Sequence, residues 1–107
     1  MVRLFILGEI NMRVRNVQEG SRTPSCGCKT WLRHWENNSK QKAGACSALG
    51  CSKQADVGGH VQKRGVGDDT WYIIPICTSC NNQRGQEYDV KSGTIFVTLE
   101  KTANCGK

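Results

Sequence analysis

The chain has few apolar residues and no long run of them. Hydrophobic side chains make up 37% of its 107 residues, below the share usual for a globular domain. The apolar run at residues 4–7 is shorter than the core of a secretion signal, and the charged Glu9 follows it. No stretch approaches the length needed to cross a bilayer. We therefore expect one small domain without a membrane segment, too poor in apolar surface to be stable by burial alone.

The even cysteine count typical of a secreted disulfide scaffold is also lacking, because the chain has seven cysteines. Without a secretion signal, a reducing cytoplasm is the favoured compartment. Clustered cysteines bind metal there more often than they pair with each other. The alternative is a disulfide-bonded secreted protein.

Acidic residues are scarce in the middle of the chain. Between Arg22 and Arg64 there are eight basic residues and only two acidic ones, whereas the rest of the chain has seven of each. The net charge is +6. A basic surface of this kind suggests a polyanionic partner, above all nucleic acid. The alternative is a face that serves solubility alone, and a protein partner stays open.

Periodicity and turn residues predict the elements of the chain. Residues 30–37 place Trp31 and Trp35 on one side of a short helix, and residues 13–17 alternate as an edge strand or extended arm would. The other predicted elements are strands at 2–7, 71–76 and 93–99, loops at 18–25 and 61–69, and a short helix from 78 onward.

Four cysteines have the spacing of a zinc site. Cys46 and Cys51 are separated by four residues, and Cys77 and Cys80 by two. Both spacings let two thiolates of one tight turn reach a single tetrahedral Zn²⁺. The second pair follows an apolar strand and opens a helix, whose N-terminus favours deprotonated cysteine. The sequence therefore predicts one structural zinc ion; two unrelated pairs of buried thiols are the alternative.

The segment from Gly59-His60-Val61 to Ile76-Cys77-Thr78-Ser79-Cys80-Asn81-Asn82-Gln83-Arg84-Gly85 resembles the zinc-containing HNH nuclease-like domains, over about residues 45–90. The resemblance implies a treble-clef fold, in which a knuckle and a hairpin precede the second cysteine pair. It also implies that His60 is the general base that activates water and that Asn81 helps to hold a catalytic Mg²⁺ or Mn²⁺.

The chain departs from this family at two positions. Gly59 stands where active members place an acid or a histidine that binds the metal, and Tyr72 stands at the family's middle asparagine. Asp68 and Asp69 are nearby carboxylates that can substitute as ligands. The alternative role of His60 is structural, with its ring packed on Trp71 or bonded to the loop.

The remaining cysteines and the aromatic helix leave several interpretations open. Cys26 and Cys28 can begin a second metal site, completed by Cys105 and His34; buried thiols and an oxidative bridge are the alternatives. His34 is expected on the helix surface. Trp31 and Trp35 are expected in the core, although base stacking is an alternative.

The sequence as a whole predicts an α+β domain with a zinc-stabilised, HNH-like ββα core, flanked by short strands and a Trp-bearing helix. Residues 1–25 are expected to be an arm and linker, and residues 26–107 the domain. The favoured function is nucleic-acid binding by a catalytically degenerate module. The alternatives are a metal-dependent nuclease and a purely structural protein.

Overall fold

The computed structural model describes residues 12–17, 28–65, 67, 70–83 and 85–99. The predicted strand at 2–7, the whole predicted loop at 18–25 and four candidate residues, Cys26, Asp68, Asp69 and Cys105, lie outside these residues. The described residues form a small α+β fold with two helices, α1 (Trp31–Ser39) and α2 (Thr78–Asn81). Its five strands are β1 (Arg13–Asn16), β2 (Val57–Lys63), β3 (Trp71–Ile76), β4 (Glu87–Asp89) and β5 (Val97–Thr98).

All five strands belong to one antiparallel sheet in the order β4-β1-β2-β3-β5. β1 pairs with β2 through Val14 and Lys63 and with β4 through Val14 and Tyr88. It is therefore an inner strand, and the expectation of an edge strand at 13–17 was wrong. Alternation of polar and apolar residues also fits an inner strand whose second face is solvated.

Helix α1 begins and ends close to its predicted bounds. The Thr30 hydroxyl accepts a hydrogen bond from the Arg33 backbone N–H at 3.0 Å and caps the helix. Lys40, in the left-handed conformation, ends it. Trp35 is buried as expected, but His34 is fully buried as well, so its predicted surface position was wrong. Its Nε2 lies 3.0 Å from the Thr98 carbonyl, and this polar contact makes burial tolerable.

The sheet has two different faces. On the helix face, which α1 covers, Ile73 and Val97 pack against Trp35. On the cysteine face, Ile74 and Ile76 belong to a second cluster, which also contains Cys46 and Cys77. Since neighbouring residues of a strand point to opposite faces, the register of β2 and β3 decides which side chains meet the cysteines.

β2 includes a glycine pair and part of the segment predicted as a loop. Val61–Lys63 continue the strand, so the loop begins later than predicted. A Cβ on Gly58 would lie 2.6 Å from the backbone carbon of Trp31, and one on Gly59 would lie 2.3 Å from Cδ1 of Ile76. The two glycines therefore let α1 and β3 pack closely against β2.

Strand β3 has the predicted bounds, whereas the last two elements are shorter than predicted. The helix that opens at Thr78 ends at Asn81, and the final strand contains only Val97–Thr98. None of the helices within the described ranges has the length and apolar character that a membrane crossing requires.

Candidate metal centre

The four predicted ligands converge on one point. The sulfur atoms of Cys46, Cys51, Cys77 and Cys80 all lie within 4.8 Å of one another. Sγ of Cys51 and Sγ of Cys77, which belong to different pairs, are 3.9 Å apart. These four cysteines can therefore hold one metal ion, as the spacing predicted.

The first pair is held by a tight turn. The Cys51 backbone N–H donates to the Ala48 carbonyl at 3.1 Å, and Gly50 adopts a φ of +86° that a side chain would disfavour. Ser47 anchors this turn to the rest of the fold, because its N–H donates to Pro75 O at 2.9 Å. The turn is thus fixed to β3, directly beside the second pair.

The second pair lies where β3 ends and α2 begins. Cys77 follows the last residue of β3 and is the N-cap of α2, and Cys80 lies one turn further on. The Asn81 N–H donates to the Cys77 carbonyl at 3.0 Å and closes that turn. This local geometry turns both thiols toward the first pair, although α2 has only four residues.

Burial opposes negative charge on the thiols when no cation balances it. Burial raises the pKa of Cys46, although the backbone N–H groups of Ala48 and Cys77 act against this. Burial also raises the pKa of Cys80, well above the ordinary value for a thiol. The Cys80 backbone N–H lowers the pKa of Cys77 to about 7. A bound cation would offset the cost of burying these thiolates together.

The donor set is compatible with zinc. Four sulfurs at the usual Zn–S distance of about 2.3 Å form a tetrahedron with edges of about 3.8 Å. The 3.9 Å between Sγ of Cys51 and Sγ of Cys77 matches that edge. The largest separation, within 4.8 Å, needs only a small side-chain rotation to close.

Asn16 connects the second pair to the sheet, and sequence reasoning missed it. Its side chain is almost completely buried, and Nδ2 donates to the carbonyls of Cys80 at 2.9 Å and Gln83 at 2.8 Å. Its Oδ1 accepts from the Tyr88 hydroxyl at 2.8 Å. Burial and the nearby thiolate charge of Cys80 raise the pKa of Tyr88, so this hydroxyl stays a donor. Asn16 thus holds the backbone carbonyl of Cys80, a predicted metal ligand, in place.

A lysine supports the first pair in a similar way. Nζ of Lys91 donates to the Cys51 carbonyl at 2.7 Å, and the Lys91 backbone N–H donates to Ser47 O. Its positive charge beside the cluster acts against the negative charge that four thiolates would bring. Neither Asn16 nor Lys91 had a sequence signal, because each contact joins residues that are far apart in the chain.

His60 lies on the other face of the sheet, among aromatic rings. Its ring is edge-on to Trp31 at a centroid distance of 4.9 Å and to Trp71 at 6.5 Å. Trp31 in turn is edge-on to His34 at 5.1 Å. Nε2 of His60 is buried. The ring therefore packs beneath α1, as the structural alternative for this residue expected.

The structure does not bring His60 and Asn81 together. Oδ1 of Asn81 would lie 3.0 Å from a Cβ on Gly59, which places the amide on the cysteine face. His60, the next residue of β2, points to the helix face. Tyr72, at the family's asparagine position, also lies on the cysteine face, edge-on to Phe96 at 5.6 Å. The predicted base and ligand positions are thus separated by the sheet itself.

Of the other cysteines, the structure describes only Cys28. It is buried and disulfide-bonded, so of the alternatives for this residue a bridge is the one observed. The reducing cytoplasm that the cysteine count suggested stays a prediction.

Comparison with known proteins finds no match to this chain among protein-family models, curated proteins or solved structures. The resemblance to HNH domains therefore stays a prediction.

Proposed function

We propose that this chain is a zinc-stabilised module of the treble-clef type that binds nucleic acid and does not hydrolyse it. The observation that carries the proposal is the convergence of the four cysteine sulfurs within 4.8 Å. They join a turn between Cys46 and Cys51 to a strand-to-helix junction between Cys77 and Cys80. A knuckle, a β2–β3 hairpin and then this junction form the order of elements that a treble clef has.

The zinc would have a structural role. Catalytic zinc sites keep a position open for water, whereas sites with four cysteine ligands are closed. Ile74 and Ile76 pack in the same apolar cluster as Cys46 and Cys77, which supports a ligand set built into the core. A thin core needs such a crosslink, and the metal would connect the first turn to β3 and α2.

Nucleic-acid binding is supported by charge. The net charge of +6 favours a polyanionic partner, and phosphate contacts account for most non-specific affinity. Hydrolysis is not part of the proposal, because His60 packs against Trp31 and faces away from Asn81. A general base must lie within hydrogen-bond reach of a water beside the bound metal.

The metal part of the proposal is tested by elemental analysis and chelation. We expect one zinc per chain, and we expect a strong chelator to unfold the cysteine face because metal-binding energy is largely folding energy here. Cys80→Ser should abolish stoichiometric zinc, whereas Ser79→Ala, at the exposed neighbouring position, should not. Protein that stays folded without metal would contradict the structural role.

The nucleic-acid part is tested by fluorescence anisotropy with labelled single-stranded and duplex oligonucleotides. Affinity should fall steeply between about 50 and 200 mM salt and depend little on sequence. Absence of binding at the lowest salt would refute it. Metal-dependent nicking of plasmid DNA that is lost in His60→Ala would instead favour a nuclease.

A further inference from the structure

Most basic side chains near the sheet are engaged within the protein. Arg13 forms ion pairs with Glu87 and Asp89 at 3.5 and 3.1 Å, and Arg64 pairs with Glu87 at 3.2 Å. Nζ of Lys63 lies 4.6 Å from the centre of the Tyr72 ring. Because these basic side chains are partly neutralised or held in place, they are less available to bind the phosphate groups of a polyanion.

The basic side chains around α1 are different. Lys29, Arg33, Lys40 and Lys42 are all exposed. Over the residues that the structure describes, none of the four side chains makes an ion pair or a side-chain hydrogen bond. The acid among them, Glu36, is oriented by the Ala43 backbone N–H, from which its Oε2 accepts a hydrogen bond at 2.9 Å, and it offsets one of these charges. This end of the molecule therefore presents an excess of positive charge.

Three of these side chains surround one depression. Arg33 and Asn37 are four residues apart and project from the same side of α1. Lys40, Gln41 and Lys42 follow the last residue of the helix, and together with Glu36 all these residues line a surface depression of about 240 Å³. The two lysines and the arginine can thus approach one anionic group from different directions, which isolated surface charges cannot do.

We propose that this surface, the α1 depression with Arg33, Lys40 and Lys42, is where the phosphate backbone of a nucleic acid docks. The inference rests on the proposed function and assigns its contact surface. Arg offers a fork of N–H donors that matches phosphate oxygens, and each Lys offers a point charge. Charge complementarity selects the backbone over the bases, so the surface carries little sequence preference.

The surface also keeps nucleic acid away from the metal centre. Helix α1 covers the helix face of the sheet, whereas the four cysteines belong to the cluster on the cysteine face. The metal would then support binding only by maintaining the fold. Removing charge from α1 should therefore change affinity without changing zinc content.

The test compares two triple variants that remove the same charge. The α1 variant carries Arg33→Gln, Lys40→Asn and Lys42→Gln, where Asn suits the left-handed conformation of residue 40. The control variant carries Arg13→Gln, Arg15→Gln and Arg64→Gln, on the β1 side of the sheet. Zinc content and circular dichroism establish that both are folded before anisotropy is measured.

Loss of three phosphate contacts should lower the slope of log K against log salt by about 2 to 3 and the affinity near 0.1 M salt by roughly 10²-fold. The control should lose much less. Equal losses in both variants, or unchanged affinity in the α1 variant, would overturn the assignment while leaving the proposed function intact. If the unaltered protein binds no oligonucleotide, or prefers polyglutamate, the proposed function itself fails.

A second measurement needs no variant. Titration of the ¹⁵N-labelled protein with a short oligonucleotide should shift the backbone amides of residues 31–42 and leave those of β1 and β4 in place. Shifts confined to β1 and β4 would place the contact on the other side and contradict the proposal. This result stands even if the α1 variant does not fold.

Discussion

Asn16→Leu is expected to weaken both the fold and the metal centre. The side chain keeps a similar size but loses two donated hydrogen bonds, to the carbonyls of Cys80 and Gln83, and one accepted from Tyr88. Each such bond contributes about 1 kcal/mol net. Because the two carbonyls also accept from turn N–H groups, only the Tyr88 hydroxyl is left without its described partner. The loss should total roughly 2–4 kcal/mol.

The expected effect on zinc affinity follows from the hydrogen bond between Asn16 and the Cys80 carbonyl. Asn16 orients the backbone of Cys80, and loss of a residue that supports a ligand typically lowers metal affinity about 10- to 100-fold. Stability would be measured by guanidinium unfolding at a fixed free zinc concentration, and affinity by competition with a chromophoric chelator. Arg15→Leu, on the same strand but the opposite face, is the control and should leave zinc affinity unchanged.

A double-mutant cycle separates the contribution of the Asn16–Tyr88 hydrogen bond from other effects of changing residue 16 in β1. Tyr88→Phe removes one bond and should cost about 1 kcal/mol. In that background Asn16→Leu should cost less than alone, since the shared bond is already lost. Additive losses, or an Asn16→Leu protein with unchanged stability and zinc release, would refute the connection drawn between β1 and the metal centre.

Three further predictions concern other parts of the structure. Gly58→Ala should lower the free energy of unfolding by about 1–3 kcal/mol through overpacking, because its Cβ would meet the Trp31 backbone. Gly44→Ala should change it little, since nothing lies within 4 Å of a Cβ there. Equal unfolding midpoints for the two variants would contradict this. His60→Ala should destabilise by about 1–3 kcal/mol through lost packing and keep one zinc per chain by elemental analysis; unchanged stability would argue against a core role. The pKa of Cys77 is lowered to about 7, below the ordinary thiol value, so its thiolate contributes stability at higher pH that is lost as pH falls through 7. Because burial holds the pKa values of Cys46 and Cys80 above the ordinary thiol value, protons compete with zinc at neutral pH as well. Chelator competition should accordingly show zinc affinity falling steadily as the pH is lowered from about 8 to about 5, and constant affinity over this range would contradict proton competition.

The metal ligands could be predicted because their geometry is local. Two cysteines separated by two or four residues are brought together by one turn, whatever the rest of the fold does. The same holds for α1 and for β3, whose side-chain patterns were sufficient to place them. The convergence of both pairs needed the fold, but the choice of the four residues did not.

The function of other residues could not be predicted locally. Asn16 contacts Cys80 and Tyr88, which are 64 and 72 residues away, and no spacing rule connects such positions. β1 was mistaken for an edge strand because a polar face is the same whether it meets solvent at an edge or in the middle of a sheet. Only the order of strands distinguishes the two.

His60 is the clearest example of a residue whose role depends on the tertiary structure. Its position in the chain matched that of the general base in the HNH-like domains. Whether it meets Asn81 depends on which face of β2 its side chain occupies. A shift of one residue in register would exchange the two faces, and that register is set by pairing with β3, such as His60 opposite Ile73. The sequence by itself determined which residues can bind the metal, because short-range geometry decides that. Only the tertiary structure decided which side chains share a face of the sheet, because long-range strand pairing decides that.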